Sequence, residues 1–401
     1  MTGIFKLWMR CVGLALPALA LCIGANTRAA DAEILYQEKL RAFPFQPIVP
    51  LAVGGKNYPF MLDTGTYGPI FDLSLRGLLG TVAQKGMLSS FGSMTEADFY
   101  PAPKMGIGRL KMPEWVAATH DCAVHRRLAG VDIRGIMGIK PLDDCSIWLD
   151  FDHETLKIVR QMGPPPDSMK SLDFIYPENG QIPRIELELE GHKLQFIPDT
   201  GFNGCMGLQH DVFAKLVADG VIEPAAIPGA EVLQGETEGR KVASGRFKRG
   251  TLLGLDLTTS EVHDSGSVNN LGMMFLVNFN SIFDYVGKKF YYERRQALPP
   301  LASDRMLGAI ILFPEGRNTV YRLYRNRSPA REAGLMEGDH LVRLGPLTDA
   351  EMNAASLYDM CIHHFSEIME VEVIRPGAEK SFITHLVMPQ KQYAFPVQGI
   401  K

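Results

Sequence analysis

The chain has 401 residues, 46% of them hydrophobic, and a formal net charge of −4. That balance describes a soluble globular protein large enough for two or three domains, and it gives no basic surface for nucleic acid. The first ten residues include Lys6 and Arg10 and precede an apolar run from Cys11 to Ala25. A positive flank, about 15 apolar residues and then small residues read as a secretory signal peptide, because a membrane span needs about 20. Ala30-Asp31-Ala32 fits an Ala-x-Ala cleavage site, and cuts a few residues earlier are equally compatible. Residues 1–32 are therefore expected to leave, with an uncleaved anchor as the alternative. The mature chain is expected to be periplasmic or secreted, without membrane attachment once the signal is cleaved.

Downstream, Phe60-Met61-Leu62 leads into Asp63-Thr64-Gly65, and Leu194-Gln195-Phe196-Ile197-Pro198 leads into Asp199-Thr200-Gly201. The repeat extends further. Asp63 lies 75 residues before Gly138, and Asp199 lies 73 before Gly272; Gly138 to Asp150 and Gly272 to Asp284 are both 12. Each of those later aspartates sits in a strand, polar turn, strand pattern, Trp148 to Ile158 and Ile282 to Tyr292. Four landmarks in one order at near-equal spacing indicate a duplicated module. Asp211 to Ala218 reads as a helix closed by Gly220, and short alternating strands dominate the rest. Pro-rich joints stand at Gly163-Pro164-Pro165-Pro166-Asp167 and Leu298-Pro299-Pro300. Of the cysteines beyond the leader, Cys122 and Cys145 share one module. They form either a disulfide in an oxidising compartment or two buried thiols; Cys205 and Cys361 are expected to be isolated.

On these motifs the chain resembles the retropepsin-like aspartic proteases, over roughly residues 45–162 and 180–295. The resemblance implies a mainly β fold with two β-barrel lobes about a pseudo-two-fold axis, at 33–162 and 180–296, joined by a linker at 163–179. It places the water-activating carboxylates at Asp63 and Asp199. Thr64, Gly65, Thr200 and Gly201 match the positions that brace the two loops. Gly138 and Gly272 match those where backbone passes beneath the loops too closely for a side chain. Family members cover substrate with a hairpin flap, for which Phe91, Gly92 and Ser93 are candidates in the first module and Gly235 in the second. Three features depart from the pattern: Pro198 before the second aspartate, Phe202 after the second Gly, and Asn269-Asn270 in place of apolar residues. Asp264-Ser265-Gly266 is a decoy in a polar run.

After a second linker, at 297–304, the segment Ser328 to Gly345 resembles a bacterial PDZ domain, expected over 305–395. A helix from about Ala354 to His364 and a strand from Met369 to Ile374 complete the order such a domain requires. Domains of this kind bind extended peptide ends by strand addition, which here falls to Leu307, Gly308, Ala309 and Ile310. The alternative is a module that braces the catalytic lobes.

Two like carboxylates in a partly dry cleft cannot both ionise, so they share a proton. The ionised member takes a proton from water and the protonated member stabilises the carbonyl oxygen that the water attacks. The chemistry needs no cofactor and no metal. Thr66 can donate a hydrogen bond to Asp63, which Phe202 cannot do for Asp199, so Asp63 is expected to be the ionised partner. The expected activity is endopeptidase hydrolysis of a peptide or protein substrate by a monomer, with a peptide C-terminus as a further ligand of the PDZ-like segment. The rival is an exported, non-catalytic peptide-binding protein on the same scaffold. No Gly-x-Ser-x-Gly, His-Glu-x-x-His, phosphate loop or Cys-x-x-Cys is present. Arg246 to Arg249 reads as a solvated strand edge, and His363-His364 as surface or groove lining.

Overall fold

Alternation of apolar and polar residues makes strands of most of the chain. In Ile185–Leu189, for example, Ile185, Leu187 and Leu189 are buried while Glu186 and Glu188 face solvent. The computed structural model describes residues 33–40, 46–90, 93–160, 162–178, 182–225, 242–295, 307–313, 317–323, 328–364 and 367–388. Among these the protein is mainly β, in several separate sheets.

Two of the sheets repeat one topology. In the first, the hairpin Ile48–Val53/Lys56–Leu62 is followed in space by Gly135–Met137, which runs parallel to Lys56–Leu62. Ile70–Asp72 pairs antiparallel with that strand, Val116–His120 pairs parallel with Ile70–Asp72, and Ser93–Pro101 pairs antiparallel with Val116–His120. The second sheet repeats each step. Its hairpin is Ile185–Leu189/His192–Pro198, then come Asn269–Leu271 (parallel), Met206–Gln209 (antiparallel), Glu261–Gly266 (parallel) and Ser244–Phe247 (antiparallel). The inferred duplication is thus visible strand by strand. Neither sheet closes: the first runs from Gln84–Ser90 to Leu110–Lys111 and the second from Ile185–Leu189 to Ile222–Pro224, with unpaired outer edges. This corrects the expectation of barrels, since closure requires the end strands to hydrogen-bond to each other.

A six-stranded antiparallel sheet joins the halves. Glu33–Lys39, Thr155–Arg160 and Ser146–Asp150 come from the first half, and Phe279–Asp284 and Lys289–Arg294 from the second. The seam between Ser146–Asp150 and Phe279–Asp284 pairs Ser146 with Asp284, and the Ser146 hydroxyl donates to Asp284 at 3.0 Å. Both expected hairpins are here. Within 163–179, read as a linker, Lys170–Asp173 forms the outer strand beside Lys289–Arg294. One continuous apolar core runs through both halves, from Leu35, Phe60 and Phe71 to Phe196, Phe275 and Phe283.

Residues 307–388 carry a separate core and their own sheet, in the order Ala309–Leu312, Thr319–Leu323, His340–Leu344, Ile368–Ile374 and Phe382–Val387, with Leu347–Thr348 beside the third. Its helices start where the sequence provides caps. Ser328 accepts from the Arg331 N–H ahead of Pro329–Glu332, and Asn353 and Ser356 cap each other ahead of Ala354–His363. This unit packs on the first half through the helix Ala123–Ala129, which lies against both Ala309–Leu312 and Ala354–His363. Gly130 ends that helix at φ 66°, and a Cβ there would fall 2.7 Å from Asn353 Cβ. The Phe313 N–H donates to the Arg127 carbonyl at 2.6 Å.

Candidate active site

The strands Lys56–Leu62 and His192–Pro198 each end in three buried residues, so the aspartate that follows emerges from the floor of its sheet. The parallel neighbour fixes each loop at its first residue. The Asp63 N–H donates to the Met137 carbonyl at 3.0 Å, and the Asp199 N–H to the Leu271 carbonyl at 2.8 Å.

The two loops then grip each other. Thr64 Oγ1 donates to the Pro198 carbonyl at 2.7 Å and accepts from the Thr200 N–H at 3.0 Å. Thr200 Oγ1 donates to the Leu62 carbonyl at 2.7 Å and accepts from the Thr64 N–H at 3.0 Å. The four bonds are reciprocal and buried, so each hydroxyl satisfies a backbone donor and a backbone acceptor of the opposite half. Gln46 adds a fifth tie, Nε2 to the Gly201 carbonyl at 2.9 Å. Nothing in the sequence singled that residue out.

The grip brings the carboxylates together. Asp63 and Asp199 are each only 8% exposed and stand within hydrogen-bonding reach of each other. Each presses on the glycine of the opposite loop. A Cβ on Gly65 would fall 2.5 Å from the Asp199 carboxyl carbon, and one on Gly201 would overlap the Asp63 carboxylate. Gly65 and Gly201 N–H groups donate to the inner oxygens Oδ1 of Asp63 and Asp199, at 2.7 and 2.8 Å. Gly138 lies against the carbonyls of Thr66, Tyr67 and Gly68, and Gly272 against those of Phe202 and Gly204. Both therefore occupy the close-approach positions expected of them.

The outer oxygens are held differently. Thr66 Oγ1 donates to Asp63 Oδ2 at 2.7 Å, as expected. Phe202 instead turns its ring edge-on to His263, with centroids 6.4 Å apart. Asp199 Oδ2 accepts from Asn270 Nδ2 at 3.1 Å. Asn269 ties neighbouring strands, accepting from the Gln209 N–H at 2.8 Å and donating to the Gln195 carbonyl at 3.1 Å. Of the Asn pair that departs from the apolar pattern, Asn269 is therefore bound to the flanking strands and Asn270 to the site aspartate. Its position two residues before Gly272 was the available signal.

Burial raises both carboxyls above the ordinary range. For Asp63 this is opposed by hydrogen bonds from Thr66 and Gly65 and by its contact with Asp199. For Asp199, burial is reinforced by the Asp63 charge and only partly offset by Asn270 and Gly201, which leaves it well above an ordinary carboxyl. Both carboxyls are thus pushed upward by burial, Asp199 further because the Asp63 charge adds to it, which favours a proton held on the Asp199 side of the pair. That combination can draw a proton from water and donate one to an oxygen opposite.

Of the flap candidates, Phe91, Gly92 and Gly235 lie outside the described residues. The strands Gln84–Ser90 and Ser93–Pro101 pair antiparallel up to Ser90 opposite Ser93. Leu88 and Phe99 of these strands pack over a small apolar cluster of Met61, Ile70, Ala118 and Ile136. Asp264 of the decoy tripeptide lies in the strand Glu261–Gly266 and pairs with His210 at 2.7 Å. Cys122 and Cys145 are free and buried, and burial pushes each thiol up to about 12. Arg246 and Arg249 pair with Glu261 and Glu190 at the surface.

Leu307, Gly308, Ala309 and Ile310 lie far along the chain from the aspartates, in the separate C-terminal unit. Ala309–Leu312 is an end strand of its sheet, and the helix Ala123–Ala129 packs against it and against Ala354–His363. Among the described residues no group of three His, Cys, Asp or Glu is arranged to hold a metal ion, and no helix is long and apolar enough to cross a membrane. No protein-family model and no curated protein matches this chain.

Proposed function

We propose that the protein is an aspartic endopeptidase in which the Asp63–Asp199 pair activates a water for attack on a peptide carbonyl. One observation carries the reading: two buried carboxylates, delivered by duplicated Asp-Thr-Gly loops, stand within hydrogen-bonding reach and are held there by a reciprocal threonine grip. In the reaction Asp63, kept ionised by Thr66, takes a proton from the water. Asp199 gives its proton to the carbonyl oxygen as the tetrahedral centre forms, and proton return through the pair expels the amine. The two lobes are of the retropepsin-like kind, and the strands Gln84–Ser90 and Ser93–Pro101 form the arm that closes over an extended substrate. The C-terminal unit is PDZ-like. Its contact with the helix Ala123–Ala129 favours a bracing role over free recruitment, with peptide docking along Ala309–Leu312 requiring that helix to shift. Export to the periplasm or medium is part of the same proposal.

The test is incubation of the mature protein with a mixed peptide library from acid to neutral pH, beside Asp63→Asn and Asp199→Asn, with and without pepstatin. Cleavage that pepstatin blocks and that both variants lose supports the enzyme. Peptide retention without cleavage in the unaltered protein would establish the non-catalytic rival.

A further inference from the structure

The two halves exchange a polar and an apolar residue around their aspartates. Strand register makes the exchange explicit. Ile136 pairs with Met61, two residues before Asp63, and Asn270 pairs with Ile197, two residues before Asp199. Ile136 and Asn270 are thus equivalent positions, as are Thr66 and Phe202, each three residues after its aspartate. The first half places its donor on the loop and its apolar residue on the neighbouring strand; the second half does the reverse.

The surroundings of Asn270 are shaped for it. Gly207, opposite Asn270 in the antiparallel pair, has no side chain, and a Cβ there would overlap the amide oxygen. Asn270 is 3% exposed and its Nδ2 reaches Asp199 Oδ2 at 3.1 Å. Phe202, the equivalent of Thr66, packs its ring against His263 instead.

We propose that Asn270 is the positioning residue of the second aspartate, holding Asp199 by its outer oxygen as Thr66 holds Asp63 by its own. The inference rests on the endopeptidase reading for its catalytic consequence, while the positioning itself is a property of the fold. A donor to a carboxylate favours its ionised form. Thr66 therefore eases proton loss from Asp63 and governs the acid limb of activity, whereas Asn270 eases proton loss from Asp199 and governs the alkaline limb. The titratable groups facing the pair are the two aspartates themselves, Tyr285, which senses the Asp63 charge, and His263 behind the Phe202 ring.

The experiment compares the unaltered mature protein with Asn270→Ile, Thr66→Val and the double variant Phe202→Thr/Asn270→Ile, which gives the second half the arrangement of the first. Each is read by a pH–rate profile and, independently of activity, by carbon NMR titration of aspartate carboxyls in the whole protein. Asn270→Ile should move the alkaline limb and the Asp199 titration upward by about one to two pH units, with kcat reduced and KM little changed. Thr66→Val should move the acid limb and leave the alkaline limb in place, and the double variant should bring the alkaline limb back. An alkaline limb that stays put or moves down in Asn270→Ile overturns the inference, as does a double variant that folds without restoring it. If Asn270→Ile alone does not fold, the double variant carries the test through its own Asp199 titration. If the unaltered protein cleaves nothing while Asp199 still titrates higher in Asn270→Ile, the endopeptidase reading fails and the positioning stands. If it cleaves normally and neither readout moves, only the positioning fails.

Discussion

The two aspartate loops agree wherever backbone sets the geometry and differ wherever a side chain could substitute for another. The threonine grip and the N–H donors to the inner oxygens match to within about 0.1 Å in their hydrogen bonds, and a glycine lies beneath each loop. The outer-oxygen donors come from different residues on different elements. The difference separates two requirements. Bringing two carboxylates together needs interlocked backbone, which leaves little freedom. Biasing their shared proton needs only one donor at each outer oxygen, which several residues can supply.

The most severe way to break the pairing is to remove one carboxylate. Asp63→Asn and Asp199→Asn should each lower kcat/KM by about 10²- to 10⁴-fold while circular dichroism stays unchanged. Their stabilities should differ with pH in a known sense. The folded state raises the Asp199 pKa above its unfolded value, so the contribution of that group is intact below about pH 4 and declines as pH rises through the folded value. Thermal unfolding from acid to neutral pH should show the unaltered protein losing ground to Asp199→Asn as pH rises. A gap that does not change with pH would remove the argument that Asp199 is the proton holder.

Thr64→Val and Thr200→Val test the grip. Each strands a backbone N–H and a carbonyl in the interior, at about 1–3 kcal/mol per group. The two losses should be equal in denaturant titrations, because the bonds are mirror images. Unequal losses would show that one half carries the junction.

Gly138→Ala and Gly272→Ala should sharpen the comparison at smaller scale. An added methyl at Gly138 meets three backbone carbonyls at 2.5–2.7 Å, and at Gly272 it meets the backbone carbonyls of Gly204 and Phe202 at 2.2 and 2.5 Å. Overpacking of this kind costs about 1–3 kcal/mol, and the cost should be at least as great at Gly272, where the nearest backbone oxygen is closer. The smallest expected effect is outside the pair. Gly130→Val forces a β-branched residue into a left-handed conformation against Asn353, so the C-terminal unit should loosen from the helix Ala123–Ala129. Faster limited proteolysis between the units, with the duplicated halves still folded, is the expected readout.

The sequence by itself determined the duplicated modules, the two aspartates and the glycines beneath them. It also determined the hairpins at Asp150 and Asp284, the helix before Gly220, and both helices and three of the strands of the C-terminal unit, while Thr319–Leu323, Leu347–Thr348 and Phe382–Val387 went unread. These are local: an apolar strand, a turn that needs glycine and a cap that needs Ser or Asn leave their marks on neighbouring positions. Tertiary structure alone decided that the sheets stay open and that Lys170–Asp173 is a strand. It also decided that Asn270, rather than a loop hydroxyl, holds Asp199, that Gln46 ties the second loop, and that the C-terminal unit packs on Ala123–Ala129. Each of these depends on contacts between residues far apart in the chain. Asn270 and Asp199 are 71 residues apart and Gln46 and Gly201 are 155 apart, and no local pattern specifies which distant group will arrive.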